Sequence, residues 1–138
     1  MEIDIEALNK TGTATLVENL GIEFLEPQDG MLRARMPVDE RTRQPMGILH
    51  GGASVALAET LGSTASYLKL DSKKFFPVGL AINANHVRST RSGYVVATAR
   101  ELHIGRTTHI WEIEVTQNEK LICVCRLTMA IRDVIQNS

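Results

Sequence analysis

One stretch limits what this chain can fold into more than any other. Residues 46–70 read as a single long helix, opened by Gly51-Gly52-Ala53-Ser54 and filled with Ala, Val, Leu, Ser and Thr. Its apolar residues run almost all the way round, so it must be covered on most of its faces rather than lie on a surface. After Lys73-Lys74 the period changes to two. Runs at 78–87, 94–104, 108–116 and 121–131 are separated by Ser92-Gly93, Gly105-Arg106 and Asn118-Glu119, and gaps so short join antiparallel neighbours. Upstream, Leu32, Ala34 and Met36 alternate with Arg33 and Arg35 behind the turn Gln28-Asp29-Gly30. Ile5, Ala7 and Leu8, then Leu16, Val17 and Leu20, predict one or two short opening helices closed at Gly21. One buried helix plus five or six antiparallel strands predicts an α+β domain over residues 1–138, a twisted sheet wrapped around one central helix.

Several function classes fall away at once. Fifteen Lys and Arg against sixteen Asp and Glu leave a net charge of -1, with no basic block to grip a nucleic-acid backbone. The charge-free run over 46–58 is cut by Glu59, whereas a membrane-spanning helix needs ~20 apolar residues. The start, Met1-Glu2-Ile3-Asp4-Ile5-Glu6, lacks the basic and apolar regions of a signal peptide, which predicts a cytoplasmic protein. Cys123 and Cys125 lie two apart on one strand face and read as small core residues. His50, His86, His103 and His109 show no ligand-cluster spacing, so no metal is expected.

Between His50 and Lys69 the only side chain fully charged at neutral pH is Glu59. A carboxylate in such a helix either lies on a narrow wet stripe or does a job. Ser63, one turn on, shares its face and could hold a water against it. At the mouth of the helix, the glycines of Leu49-His50-Gly51-Gly52 allow close backbone approach, and helix-end amides make an oxyanion site. His50 either orients a carbonyl there or caps the helix. Gln44-Pro45 marks a loop.

Taken together, the segment from Gln44-Pro45-Met46-Gly47 through His50-Gly51-Gly52-Ala53-Ser54, with Ala58-Glu59-Thr60-Leu61-Gly62-Ser63, closely resembles the hotdog-fold acyl-CoA thioesterases. The branch is that of the menaquinone-pathway dihydroxynaphthoyl-CoA and enterobactin-pathway proofreading enzymes, near the phenylacetate-pathway type. The likeness continues through Ile82-Asn83-Ala84-Asn85-His86 and Arg91-Ser92-Gly93 to Cys123-Val124-Cys125-Arg126-Leu127.

The resemblance implies hydrolysis of an aromatic or medium acyl-CoA without a cofactor other than the coenzyme A of the substrate. Glu59 would be the nucleophile or general base and Gly51 the oxyanion donor, with Gln44 and His50 placing the thioester and Ser63 the water. Gly79-Leu80-Ala81-Ile82 would line the pantetheine arm. His86-Val87-Arg88-Ser89-Thr90-Arg91 and His103-Ile104-Gly105-Arg106 would meet the nucleotide. It further implies a homodimer in which Gln44 and His50 of one subunit face Glu59 of the other, often paired again into a tetramer, with acyl carrier protein as an alternative donor of the acyl group. The chain departs from its relatives at Ala81, where they usually carry an acid, and at Met46, where they usually carry Phe, which leaves the acyl group open. A hotdog hydratase would need a His and an acid set for proton transfer beside the carbonyl, which the Gln44, Gly51 and Glu59 set does not match. A ligand-sensing module would normally append a DNA-reading helix pair, for which the chain has no residues.

Overall fold

The computed structural model describes residues 2–135. Two short helices, α1 (Ile5–Thr11) and α2 (Leu16–Asn19), precede the hairpin β1 (Glu23–Gln28) and β2 (Met31–Pro37). The long helix α3 (Gly51–Leu68) follows, then β3 (Phe75–His86), β4 (Tyr94–Ile104), β5 (Thr108–Gln117) and β6 (Lys120–Asp133). The six strands form one antiparallel sheet in the order β1-β2-β4-β5-β6-β3. This is the hotdog fold, α+β, with α3 wrapped by the sheet.

Small residues bring α3 close to the sheet. Ala53, Ser54, Leu57, Ala58, Leu61, Gly62, Ala65 and Ser66 are its buried positions. A Cβ on Gly62 would lie 2.5 Å from Leu127 Cδ2 and 3.0 Å from Ile113 Cδ1. Leu57 and Leu61 are fully buried in the same seam, each worth ~1.5–3 kcal/mol of removal from water. The sheet bends to meet the helix through two bulges: β3 slips register between Gly79 and Ala81, and β4 between Glu101 and His103. Each inserts one leucine, Leu80 or Leu102, and a bulge sharpens local twist and bend.

The expected helix over 46–70 is shorter at its start. Residues 44–47 instead make a turn in which Gly47 N–H donates to Gln44 C=O at 2.8 Å, with Pro45 second and Gly47 at φ +83°. Pro pre-sets that turn and Gly tolerates the left-handed angle. Strand β4 covers the expected 94–104, β5 and β6 run somewhat beyond their expected limits, and β3 starts earlier, at Phe75, and ends at His86, one residue short of the expected 87. Cys123 and Cys125 are buried free thiols, and burial pushes Cys125 up to about 12, which keeps it an unreactive core residue. Among the described residues no helix is long and apolar enough to cross a membrane.

Near its C-terminal end α3 is fastened to β5 by a buried polar group. Trp111 Nε1–H donates to Ser66 Oγ at 2.7 Å, and Ser66 Oγ lies 2.9 Å from His109 Nδ1. An indole N–H can only donate, so Ser66 accepts from Trp111 and keeps its own proton and second lone pair for the bond to His109. Burial, followed by the positive charges of Lys69 and His103, lowers the His109 pKa below 6.5, with Glu101 opposing. The native protein thus binds fewer protons at His109 than the unfolded chain, and this deficit appears below pH 6.5. Chemical denaturation from pH 7.5 downward is expected to show stability falling below about pH 6.5 and levelling once pH passes the native His109 value. In His109→Asn this component of the slope disappears; an unchanged slope would show that His109 does not couple folding to pH.

Candidate active site

The turn at 44–47 closes a miniature hairpin bridged at Arg43 and Leu49, with Gln44 N–H donating to Ile48 C=O and His50 N–H to Thr42 C=O, both at 2.8 Å. This feeds the chain directly into α3. His50 is its N-cap, and Nδ1 accepts the Gly52 N–H at 2.8 Å. An accepting Nδ1 puts the ring proton on Nε2, so His50 both caps the helix and offers a donor on its other side. Gly51 is the first helical residue, and its N–H has no carbonyl one turn back to bond. The Gln44 side chain bends so that Oε1 accepts the Met46 N–H. Since that N–H can only meet an acceptor, the amide NH2 end remains to donate.

Gln44 and Gly51 line one cavity of about 410 Å³ together with Ile48, Leu49, Ser54, His86, Arg88 and Ile122, among others. The His86 ring lies over the helix mouth: a Cβ on Gly51 would sit 3.0 Å from its Nε2. Only glycine leaves room for imidazole and backbone together. Ser54, three residues after Gly51 on the same helical face, was not among the expected site residues; that spacing is the signal that could have found it.

Glu59 lies elsewhere in the same chain. Eight residues of α3 separate it from Gly51, roughly 12 Å along the axis. It is half-buried, with Ser63 one turn on also half-buried. Its carboxylate rests on the backbone of β3, where a Cβ on Gly79 would lie 2.5 Å from Oε2. Gly79 begins the β3 bulge, followed by Leu80, Ala81 and Ile82. β3 is the last strand of the sheet, paired on one side to β6, so Glu59 stands beside an open edge.

The two stretches expected at a nucleotide are far apart within one chain. His86 pairs level with Cys123, whereas the turn after Ile104 lies level with Ala130, which pairs with both Thr108 and Val78. From Val78 to His86 is about 25 Å of strand. His86, Val87, Arg88 and Ser89 line the Gln44 cavity; His103 packs against Gly105, whose Cβ would meet its Nε2 at 2.6 Å, with Arg106 exposed beyond. One chain therefore keeps two groups apart: donors and basic residues at the mouth of α3, and a carboxylate at the sheet edge.

Residues 46–124 match the Thioesterase superfamily. The chain is 49% identical over 131 residues to a 1,4-dihydroxy-2-naphthoyl-CoA hydrolase of Escherichia coli, covering 94% of this chain and 96% of that one. It is 48% identical over 128 residues to a proofreading thioesterase of Cronobacter turicensis, covering 92% and 93%. A crystal structure of a mutant thioesterase from Pseudomonas aeruginosa superposes with a TM-score of 0.95 at 50% identity over 97% of each chain. With this sheet, this helix and this match over more than half its length, the chain belongs to the thioesterase superfamily.

Proposed function

We propose that the protein hydrolyses an acyl-CoA, with an aromatic (hydroxyaryl) or medium acyl group, to free acid and coenzyme A. The observation that carries this is the Glu59 carboxylate, the only acid of α3, seated on the Gly79 backbone at an open sheet edge. As a base, Glu59 takes a proton from water while the water oxygen bonds to the thioester carbon; the C–S bond then breaks and the thiolate leaves to take up a proton. As a nucleophile, its oxygen bonds to that carbon itself, the C–S bond breaks and the thiolate leaves to take up a proton, and water then cleaves the mixed anhydride to free acid and the Glu59 carboxylate. Either route builds charge on the thioester oxygen, which the Gly51 N–H, the dipole of α3 and the Gln44 amide are suited to hold. Ser63 would orient the water and the His50 Nε2–H the thioester. No cofactor beyond the coenzyme A of the substrate enters the reaction. The two relatives are named for 1,4-dihydroxy-2-naphthoyl-CoA hydrolysis and for a proofreading thioesterase, which supports an aryl-CoA substrate; an acyl carrier protein as an alternative donor and a cytoplasmic place of action belong to the same proposal.

The site requires two chains in this reading. A twelve-residue edge strand carrying exposed Val78 and Leu80 presents unpaired backbone and apolar surface, a combination that recruits another strand. Antiparallel pairing of two β3 strands about their middle sets Glu59 of each chain, seated at the fifth of the twelve β3 residues, level with about Ile82 of the other, on the side of its His86 end. It likewise carries the His103 to Arg106 turn of one chain toward Arg88 of the partner subunit. The pantetheine arm would then run along Gly79 to Ile82, with the nucleotide phosphates at Arg88 and Arg106. The homodimer is the catalytic unit, and two such dimers form a tetramer.

Thiol release from a panel of acyl-CoAs tests the activity. Glu59→Gln is expected to fold and to lose at least ~100-fold in kcat; near-normal turnover would remove Glu59 from the chemistry. Gly79→Ala pushes the carboxylate off its seat and is expected to lower kcat about tenfold or more with KM little changed, whereas wild-type kcat would mean the seat is unimportant. Co-refolding inactive Gln44→Ala with inactive Glu59→Ala should recover about a quarter of wild-type activity, since about half the dimers are mixed and each holds one intact site. Mixed dimers without activity would place the whole site within one chain.

A further inference from the structure

Arg88 and Arg91 both belong to the basic stretch after β3, yet their surroundings differ. Arg88 lines the Gln44 cavity. Arg91 turns away, and its Nη1 donates to the Met46 carbonyl at 3.1 Å. Met46 is the tip of the 44–47 turn, its side chain 77% exposed, so no buried side chain anchors that tip. The same residue's N–H donates to Gln44 Oε1, so Met46 is clasped by Arg91 on one side and Gln44 on the other.

The base of this strut is firm. Arg43 Nε donates to the Arg91 carbonyl at 3.1 Å, and Leu49 N–H to the Thr90 carbonyl at 2.8 Å. Gln117, at the end of β5, donates through Nε2 to the Ser92 carbonyl at 2.7 Å and the Tyr94 carbonyl at 3.2 Å. Gly47 leaves room for the guanidinium, because a Cβ there would stand 3.1 Å from Arg91 Nη1. A line of hydrogen bonds thus runs from the rigid sheet through Arg91 and Met46 to the amide of Gln44.

We infer that Arg91 is a positioning residue for Gln44, holding its amide where the thioester oxygen will lie, rather than a contact to the nucleotide. The inference rests on the proposed role of Gln44 as a donor to the thioester. An exposed turn without its strut fluctuates, and a donor no longer fixed in place forfeits the advantage of preorganisation.

The test compares an acyl-CoA with the N-acetylcysteamine thioester of the same acid, which lacks the nucleotide. Arg91→Ala is expected to lower kcat roughly tenfold on both, without changing inhibition by free coenzyme A, and to cost less than about twofold when Gln44 is already Ala. Gly47→Ala, which crowds the same guanidinium and also strains the turn at its positive φ, should lower kcat at least as much on both substrates. Arg88→Ala should instead raise KM for the acyl-CoA alone. The inference is overturned if Arg91→Ala raises only the KM for acyl-CoA, or if its cost is undiminished in the Gln44→Ala background. A Gln44→Ala protein with normal kcat would overturn the role of Gln44 itself and this inference with it, an outcome distinct from a damaging Gln44→Ala beside a harmless Arg91→Ala.

Discussion

The arrangement depends on how near α3 can come to the sheet. Gly62 lies under Leu127 and Ile113 with no space for even one more carbon, and Ala58 and Ala65 flank it. At that separation a glutamate one turn before Gly62 needs only its own short reach to touch the backbone of β3. A larger residue at 62 would lift the helix, and Glu59 would hang in solvent above Gly79. The Ser66, Trp111 and His109 group maintains the same spacing farther along, where hydrogen bonds whose partners would otherwise be buried unpaired resist separation. Position of the acid and packing of the core are therefore one problem with one solution.

Legibility in the sequence followed the range of the forces involved. β4 was read to the residue because Val95, Ala97 and Ala99 alternate with wetter neighbours. β3 begins at Phe75, three residues before the expected start at Val78, because the N–H that Pro77 lacks is dispensable on an edge strand. The start of α3 was placed too early because Met46, Ile48 and Leu49 look helical by composition, while the turn that Pro45 and Gly47 build overrides them. Glu59, Gly51 and Gln44 stood out from local chemistry and family likeness. The clasp of Arg91 on Met46 joins residues 45 apart, and the His86 ring over Gly51 joins residues on different elements; no periodicity encodes either.

Separating the acid from the donors has a mechanistic side. Within one chain, a carboxylate held about 12 Å along the helix from Gly51 does not pair with the basic residues around that chain's own mouth. Acid and donors are thus each positioned on their own element before two chains bring them together.

The order of strands carries a consequence for biosynthesis. β3 pairs with β6, not with the strands that come before or directly after it in the chain, so β3 has no strand beside it in the sheet until β6 has been synthesised. The β4–β5 and β5–β6 hairpins are local and can zip early, whereas β3 must wait and then close a long loop, the slow kind of contact in folding. Throughout that wait both its edges are bare, and an unpaired strand with exposed apolar residues is prone to aggregate. The strand that seats the acid is thus secured only once the chain has been made through β6.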